Sequence, residues 1–155
     1  YSDGRGAART IPAEEFFILP NTNPMTENIL RPGEILTEVF VPAPARGMRS
    51  TYLKFKEKDS FDWAVSAVAV SALTDASGVI QQVRVVLGGV APRPWRSKEA
   101  EAALQGKKFS ADVANKAAEA ALKGASALSK NEYKIPLTRV LLRRAVEQVT
   151  TQKTA

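Results

Sequence analysis

Few of this chain's side chains can do chemistry. It has no histidine and no cysteine, which removes disulfides, thiolate and imidazole metal sites, cysteine nucleophiles and the Ser-His-Asp arrangement from its own repertoire. Asp, Glu, Lys and Tyr remain as acids, bases or fixed charges. Lysine is densest at Lys54-Phe55-Lys56-Glu57-Lys58, and Arg143-Arg144 forms a second short cluster. Two glycine groups invite a phosphate-binding reading. Gly4-Arg5-Gly6 fails it, because no strand precedes it and no third glycine opens a helix. Gly88-Gly89 closes the apolar run Val85-Val86-Leu87 and is followed by Pro92 and Pro94. That pattern reads as a buried strand turning sharply and handing over to a helix.

The charge balance is basic. Lys plus Arg number 22 against 16 Asp plus Glu, a net charge of +6. Such a balance suits nucleic acid, an acidic partner or an anionic cofactor. The positive residues are spread along the chain, which argues against a nucleic-acid surface. With 155 residues, 45% of them hydrophobic, the chain suits one soluble domain, or a small domain plus a piece of another. It opens on Tyr1, as a processed or truncated product would. No stretch reads as a transmembrane helix or a signal peptide.

The elements that must position these residues follow from periodicity. Residues 1–9 are rich in Gly, Ser and Arg and are expected to lack structure of their own. Ile11 to Phe17 suggests a short helical piece with two phenylalanines to bury, and Asn21 to Glu27 a loop. Leu30-Arg31-Pro32-Gly33-Glu34 sets up a turn, after which Ile35 to Val41 is predicted as a strand ended by Pro42 and Pro44. Residues 42–47 form a linker and the predicted domain boundary. Arg49 to Lys56 predicts a strand with Tyr52, Lys54 and Lys56 on one face. The apolar run Ala64 to Leu73 fits a helix or a strand by periodicity alone. The turn Thr74-Asp75-Ala76-Ser77-Gly78 and the strand-like Val79 to Leu87 decide for a β-hairpin.

Beyond the Gly-Gly bend the period becomes helical. Ser97 is placed to cap a helix ending at Leu104 with Gly106 as its stop, and Ser110 to cap an Ala-rich helix ending near Gly124. Val113, Ala117, Ala120 and Ala121 form its predicted apolar stripe. A third helix carries Pro136 in its first turn, with Leu137, Val140, Leu141 and Val149 facing a core and Arg139, Arg143 and Arg144 in water. The fold class is therefore α+β: a small antiparallel three- to four-stranded sheet packed on about three helices.

Six segments occur together in order: Arg9-Thr10-Ile11-Pro12 with Phe16-Phe17; Leu30 to Leu36; Tyr52-Leu53-Lys54-Phe55-Lys56; Leu87-Gly88-Gly89-Val90-Ala91 through Trp95-Arg96; Ala100 to Gly106; and Asn131-Glu132-Tyr133-Lys134. In this order they resemble the C-terminal part of the FAD-binding, medium subunit of xanthine dehydrogenase and aldehyde oxidoreductase-type molybdenum hydroxylases. The resemblance includes that subunit's CO dehydrogenase flavoprotein C-terminal-like domain. It spans residues 4–149 and implies that 1–43 are the tail of an FAD-binding domain and 44–155 the C-terminal α+β domain.

The resemblance also implies a role. In such enzymes a molybdenum cofactor in a large subunit oxidises an aldehyde or N-heterocycle. Electrons then pass through 2Fe-2S clusters of a small subunit to FAD and on to an acceptor. The chain is thus expected to belong to an oxidoreductase complex, with the iron–sulfur and molybdopterin subunits as partners and with neither nucleic acid nor membrane. The family's glycine-rich loops that cradle the FAD pyrophosphate have no equivalent here, so this chain alone is expected to hold FAD weakly and to be inactive. No catalytic residue and no metal ligand is expected. Two cofactor-contacting positions carry over. Leu36 matches an aliphatic residue beside the flavin, ordinary strand core being its other reading. Lys54 matches a lysine that reaches the flavin, with Lys56 competing for the role. Asp62 reads as a loop acid capping the next element, and Trp95 as packing between the sheet and the first helix. A stand-alone basic binding or scaffold domain is the rival reading, and the substrate, the acceptor and the compartment, cytoplasm or periplasm, are left open.

Overall fold

The computed structural model describes residues 8–151, which fall into two compact units, one ending at Pro44 and the other beginning at Ala45. The expectation for residues 1–7 lies outside the described residues. In the first unit the short helix α1 (Ala13–Phe16) brings Phe16 and Phe17 edge to face, with ring centroids 5.2 Å apart. A single antiparallel bridge pairs Phe17 with Asn28. The predicted turn at Pro32-Gly33 is present: the Glu34 N–H donates to the Arg31 carbonyl at 3.0 Å and Gly33 takes φ +83°, the left-handed position that glycine tolerates. Glu34 is buried, and its Oε2 accepts from the Arg31 N–H at 2.7 Å and from Arg9 Nη2 at 3.1 Å.

The strand predicted over Ile35 to Val41 is not formed. Ile35 makes an isolated bridge and residues 36–44 have no regular structure. Ile35, Leu36, Val39, Phe40 and Val41 are all exposed. Alternating apolar residues favour a strand only where a neighbour supplies ladder hydrogen bonds and a surface to cover one face.

The second unit is an antiparallel sheet of four strands in the order of the chain: β1 (Arg49–Phe55), β2 (Ser66–Thr74), β3 (Ile80–Gly88) and β4 (Trp95–Arg96). Register sets Leu53 opposite Val68 and Val68 opposite Leu87, then Thr51 opposite Val70 and Val70 opposite Val85. Because side chains alternate, these residues share one face. That face is covered by α2 (Lys98–Leu104), α3 (Ala111–Leu122) and α4 (Lys134–Thr151). Val68, Val70, Val83, Val85 and Leu87 meet Leu104, Ala114, Ala117, Leu142, Val146 and Val149 in one apolar core.

The local signals act where the sequence puts them. Ser97 Oγ accepts from the Ala100 N–H and Ser110 Oγ from the Val113 N–H, both at 3.2 Å. Asp75 closes the β2–β3 turn by accepting from Ser77 Oγ at 2.7 Å and from the Ser77 and Val79 N–H groups at 2.9 and 3.0 Å. These bonds, the Ser77 hydroxyl foremost, hold the Asp75 carboxyl below its ordinary value.

Three expectations need correction. The Gly-Gly bend does not lead straight into a helix. The chain returns after Pro94 to lay β4 against β3, with Arg96 opposite Val86, because Trp95 and Arg96 again carry the N–H groups that proline lacks. On α3 the stripe is centred on Ala114, Ala117 and Ala118, with Val113 and Ala121 packed half-buried against the core at its margin. On α4, Thr138 and Leu142 are buried while Val140 is exposed. The Thr138 hydroxyl can be buried because it bonds Ser66 Oγ and the Lys134 carbonyl, each at 2.7 Å.

Candidate functional site

The three helices of this unit lie on one face of the sheet, and Lys54 stands on the other, where Tyr52 and Lys54 are exposed while Ala67 is buried and Ala69 and Val86 are half-buried. Strand alternation turns Leu53 into the core and Tyr52 and Lys54 outward, and both are exposed. Opposite them on β2 are only Ala69 and Ala67, and beyond these on β3 Val86 and Gly88. Small side chains therefore stand opposite one exposed aromatic ring and one exposed ammonium group.

Lys54 is not free to wander. Its Nζ donates to the Asp62 carbonyl at 2.5 Å, and Lys56 Nζ donates to the Ser60 carbonyl at 2.9 Å. The two lysines thus hold back the loop that joins β1 to β2. The Asp62 carboxylate accepts the Trp63 N–H at 2.8 Å, ordering the approach to β2 as expected of a loop acid. The tethered loop presents Phe61 and Trp63 almost wholly to solvent. A tethered cation on a face that also carries an exposed tyrosine can complement an electron-rich planar group. It offers no acid–base pair for substrate chemistry.

Leu36 is exposed in the irregular end of the first unit. It and Lys54 belong to separate compact units. Trp95 does not fill the space between sheet and helix. It lies on the edge strand, 40% exposed, with the Arg93 guanidinium 5.8 Å from its ring centre.

The Gly-Gly bend is packed shut. A Cβ on Gly89 would come within 2.9 Å of the Ala64 carbonyl oxygen and 3.2 Å of that of Val65. The Gly89 carbonyl is itself taken by Lys134 Nζ at 2.9 Å. Glycine serves here for close backbone approach and for φ +70°, so the bend is no cradle for phosphate. That bend therefore gives a cofactor's pyrophosphate no open backbone. Nor do the described residues gather three or more His, Cys, Asp or Glu for a metal, and none of their helices is long and apolar enough to cross a membrane.

The group that the sequence did not disclose is Glu101 on α2. It is 8% exposed, and its carboxylate accepts from Arg96 Nε and Nη2, both at 2.9 Å, and from the Val85 N–H at 3.1 Å. Arg84 lies 3.8 Å away. The short β4 leaves Val85 without a strand partner for its N–H, and a helix side chain supplies the acceptor. Its role is to lock the edge that carries Arg96 and Trp95.

The fold therefore defines a small α+β domain with a helix-covered face and an opposite face that exposes Tyr52 and Lys54. The chain belongs to the CO dehydrogenase flavoprotein C-terminal domain family, whose profile matches residues 50–149. It is 37% identical over 99 residues to the aldehyde oxidoreductase FAD-binding subunit PaoB of Escherichia coli K12, a match covering 64% of this chain and 29% of that subunit. It is 32% identical over 120 residues to the carbon monoxide dehydrogenase medium chain of Hydrogenophaga pseudoflava, covering 77% of this chain and 39% of that one. The crystal structure of that organism's carbon monoxide dehydrogenase, in a form lacking the Mo-pyranopterin moiety, superposes with a TM-score of 0.79. That superposition covers 91% of this chain and 48% of the matched one at 32% identity. The chain thus spans half or less of the length of these relatives.

Proposed function

We propose that this chain is the C-terminal portion of the flavin-carrying subunit of a molybdenum hydroxylase. In the complete subunit, electrons reach FAD from iron–sulfur clusters of a small subunit and leave to an external acceptor. Substrate oxidation belongs to the molybdenum cofactor of a large subunit. The observation that carries this reading is the family match over residues 50–149, supported by the superposition on carbon monoxide dehydrogenase. Residues up to about 43 are the tail of the FAD-binding domain, and the rest is the C-terminal domain. The phosphate anchors belong to the part of the subunit beyond this chain.

Within that frame Leu36 and Lys54 each line the flavin. Lys54 supplies a positive charge at a position fixed by the Asp62 carbonyl, and a fixed cation beside the ring stabilises the electron density gained on reduction. Lys56 is drawn away to Ser60 and serves the loop.

The test uses the complete subunit. It should purify with a flavin absorption band near ~450 nm. Lys54→Met should lower the flavin midpoint potential with little loss of bound flavin, and Lys56→Met should leave the potential in place. A complete subunit devoid of flavin would end the reading. Equal potentials for wild type and Lys54→Met would remove Lys54 from the flavin site.

A further inference from the structure

The helical side of the second unit carries a feature that the flavin reading leaves unused. A groove of about 390 Å³ runs between the start of α3 and the outer surface of α4, lined in part by Phe109, Ala111, Val140, Arg143, Arg144 and Glu147. Its lining is mixed, with Phe109, Ala111, Ala114 and Val140 beside the charged side chains of Arg143, Arg144 and Glu147. Val140 is 39% exposed on a helix whose other aliphatic residues are largely turned into the core.

Its rim is basic and lacks counter-charge. Among the described residues Arg96 is bonded to Glu101, Lys116 to Asp112 and Arg9 to Glu34. Arg139, Arg143 and Arg144 are exposed on α4 and have no acid within bonding distance among these residues. Arg139 and Arg143 are one turn apart, so their charges repel along the helix. Glu147 stands one turn beyond Arg143 but forms no ion pair with it.

A groove that sets Phe109 and Val140 beside two unneutralised guanidinium groups has a definite complement. Guanidinium forks bind carboxylates in pairs of parallel hydrogen bonds, and an apolar side chain seated between them excludes water and strengthens those bonds. A nucleic-acid strand would need exposed stacking rings and a long basic track; here the one ring, Phe109, is half-buried and Glu147 joins the two arginines in the lining. We propose that this groove docks an acidic segment of a partner subunit. One aliphatic or aromatic side chain of that segment lies against Phe109 and Val140, and its carboxylates pair with Arg143 and Arg144. The inference rests on the reading that the chain belongs to a multi-subunit complex.

The experiment co-expresses the complete subunit with its small and large partner subunits and measures complex formation by size exclusion with mass detection over a dilution series. Arg143→Glu/Arg144→Glu should weaken assembly at least about tenfold, the scale of losing buried interfacial charge pairs, while flavin content and melting temperature stay at wild-type values. Arg143→Lys/Arg144→Lys should restore part of it. The same change of charge at Lys123→Glu/Lys130→Glu, outside the groove, should leave assembly intact. Wild-type assembly by the Arg143/Arg144 variant, an equal loss in the Lys123/Lys130 variant, or a loss of RNA or anionic-vesicle binding with assembly preserved would each overturn the proposal. A wild-type subunit that meets neither partner sinks the complex itself, a result distinct from one in which only the groove fails.

Discussion

At Glu101 opposed effects meet in a single side chain. Burial pushes its carboxyl up, but the Arg96 hydrogen bonds, the Val85 N–H and the charges of Arg96 and Arg84 together outweigh burial and hold it below the ordinary glutamate value of 4.5. A carboxyl with a lowered folded value stabilises the fold in full above its unfolded value, and that contribution vanishes as pH falls through the folded one. Glu101→Gln should therefore cost about 1–2 kcal/mol at neutral pH, the scale of exchanging charge-assisted bonds for neutral ones. The gap between variant and wild type should close as urea titrations move from pH 7 to below about 4.5. A gap that stays constant across that range would mean Glu101 acts by shape alone. Little of this was legible in the sequence, where Glu101 is one acid in an Ala-rich run. Its partner Val85 is sixteen residues away and meets it only because β4 is two residues long. The outward stance of Lys54 was legible, since alternation alone sets it; its tether to the Asp62 carbonyl depends on a loop path that composition does not fix.

Among the elements, the β3–β4 bend and the β2–β3 turn both depend on glycines at positive φ, yet in different surroundings. Gly78, at φ +81°, has open space where a Cβ would go, whereas at Gly89, at φ +70°, that Cβ would strike two carbonyl oxygens. Gly78→Ala should cost about 1 kcal/mol, the conformational penalty alone. Gly89→Ala should cost more than about 3 kcal/mol, because the bend must also move off the backbone at Ala64 and Val65. Thermal unfolding of the two variants beside wild type checks the order, and equal shifts would show that the bend yields freely. Turns, caps and the hairpin were readable because they are local bargains between a residue and its own neighbours. The inward face of α4 was readable at Leu137, Leu141 and Val149 but not at Val140, because a 3.6-residue stripe can be drawn through Val140 as well as through Leu142. What chooses is Thr138, whose hydroxyl finds Ser66 on β2 and so rotates the helix. The strand expected over Ile35 to Val41 failed for the complementary reason: its pattern was right, but a strand is a property of two segments.

For the molecule as a whole, the question is which part of the chain sustains the fold. All the buried hydrophobic residues of the described chain lie between Ala67 and Val149, and the first unit contributes only Glu34 to the buried set. Hydrophobic burial is the main source of folding free energy, so the second unit holds nearly all of it. A chain of residues 45–155 should therefore unfold in one cooperative transition within about 4 °C of the 155-residue chain, a difference of less than about 1 kcal/mol. Calorimetry on the two chains decides it. A fall of more than about 10 °C, or loss of the sharp transition, would show that residues before Ala45 belong to the folding unit. The expected result also explains why Leu36 and its exposed neighbours can be spared from the core. Their apolar side chains stabilise nothing where they stand, so what they contribute must come from a surface that covers them. On the proposed reading that residues 1–43 are the tail of the flavin-binding domain, that surface would be the rest of that domain. The C-terminal domain would then supply a rigid, independently stable wall bearing Lys54, while the segment around Leu36 takes its order from the part of the subunit that holds the cofactor.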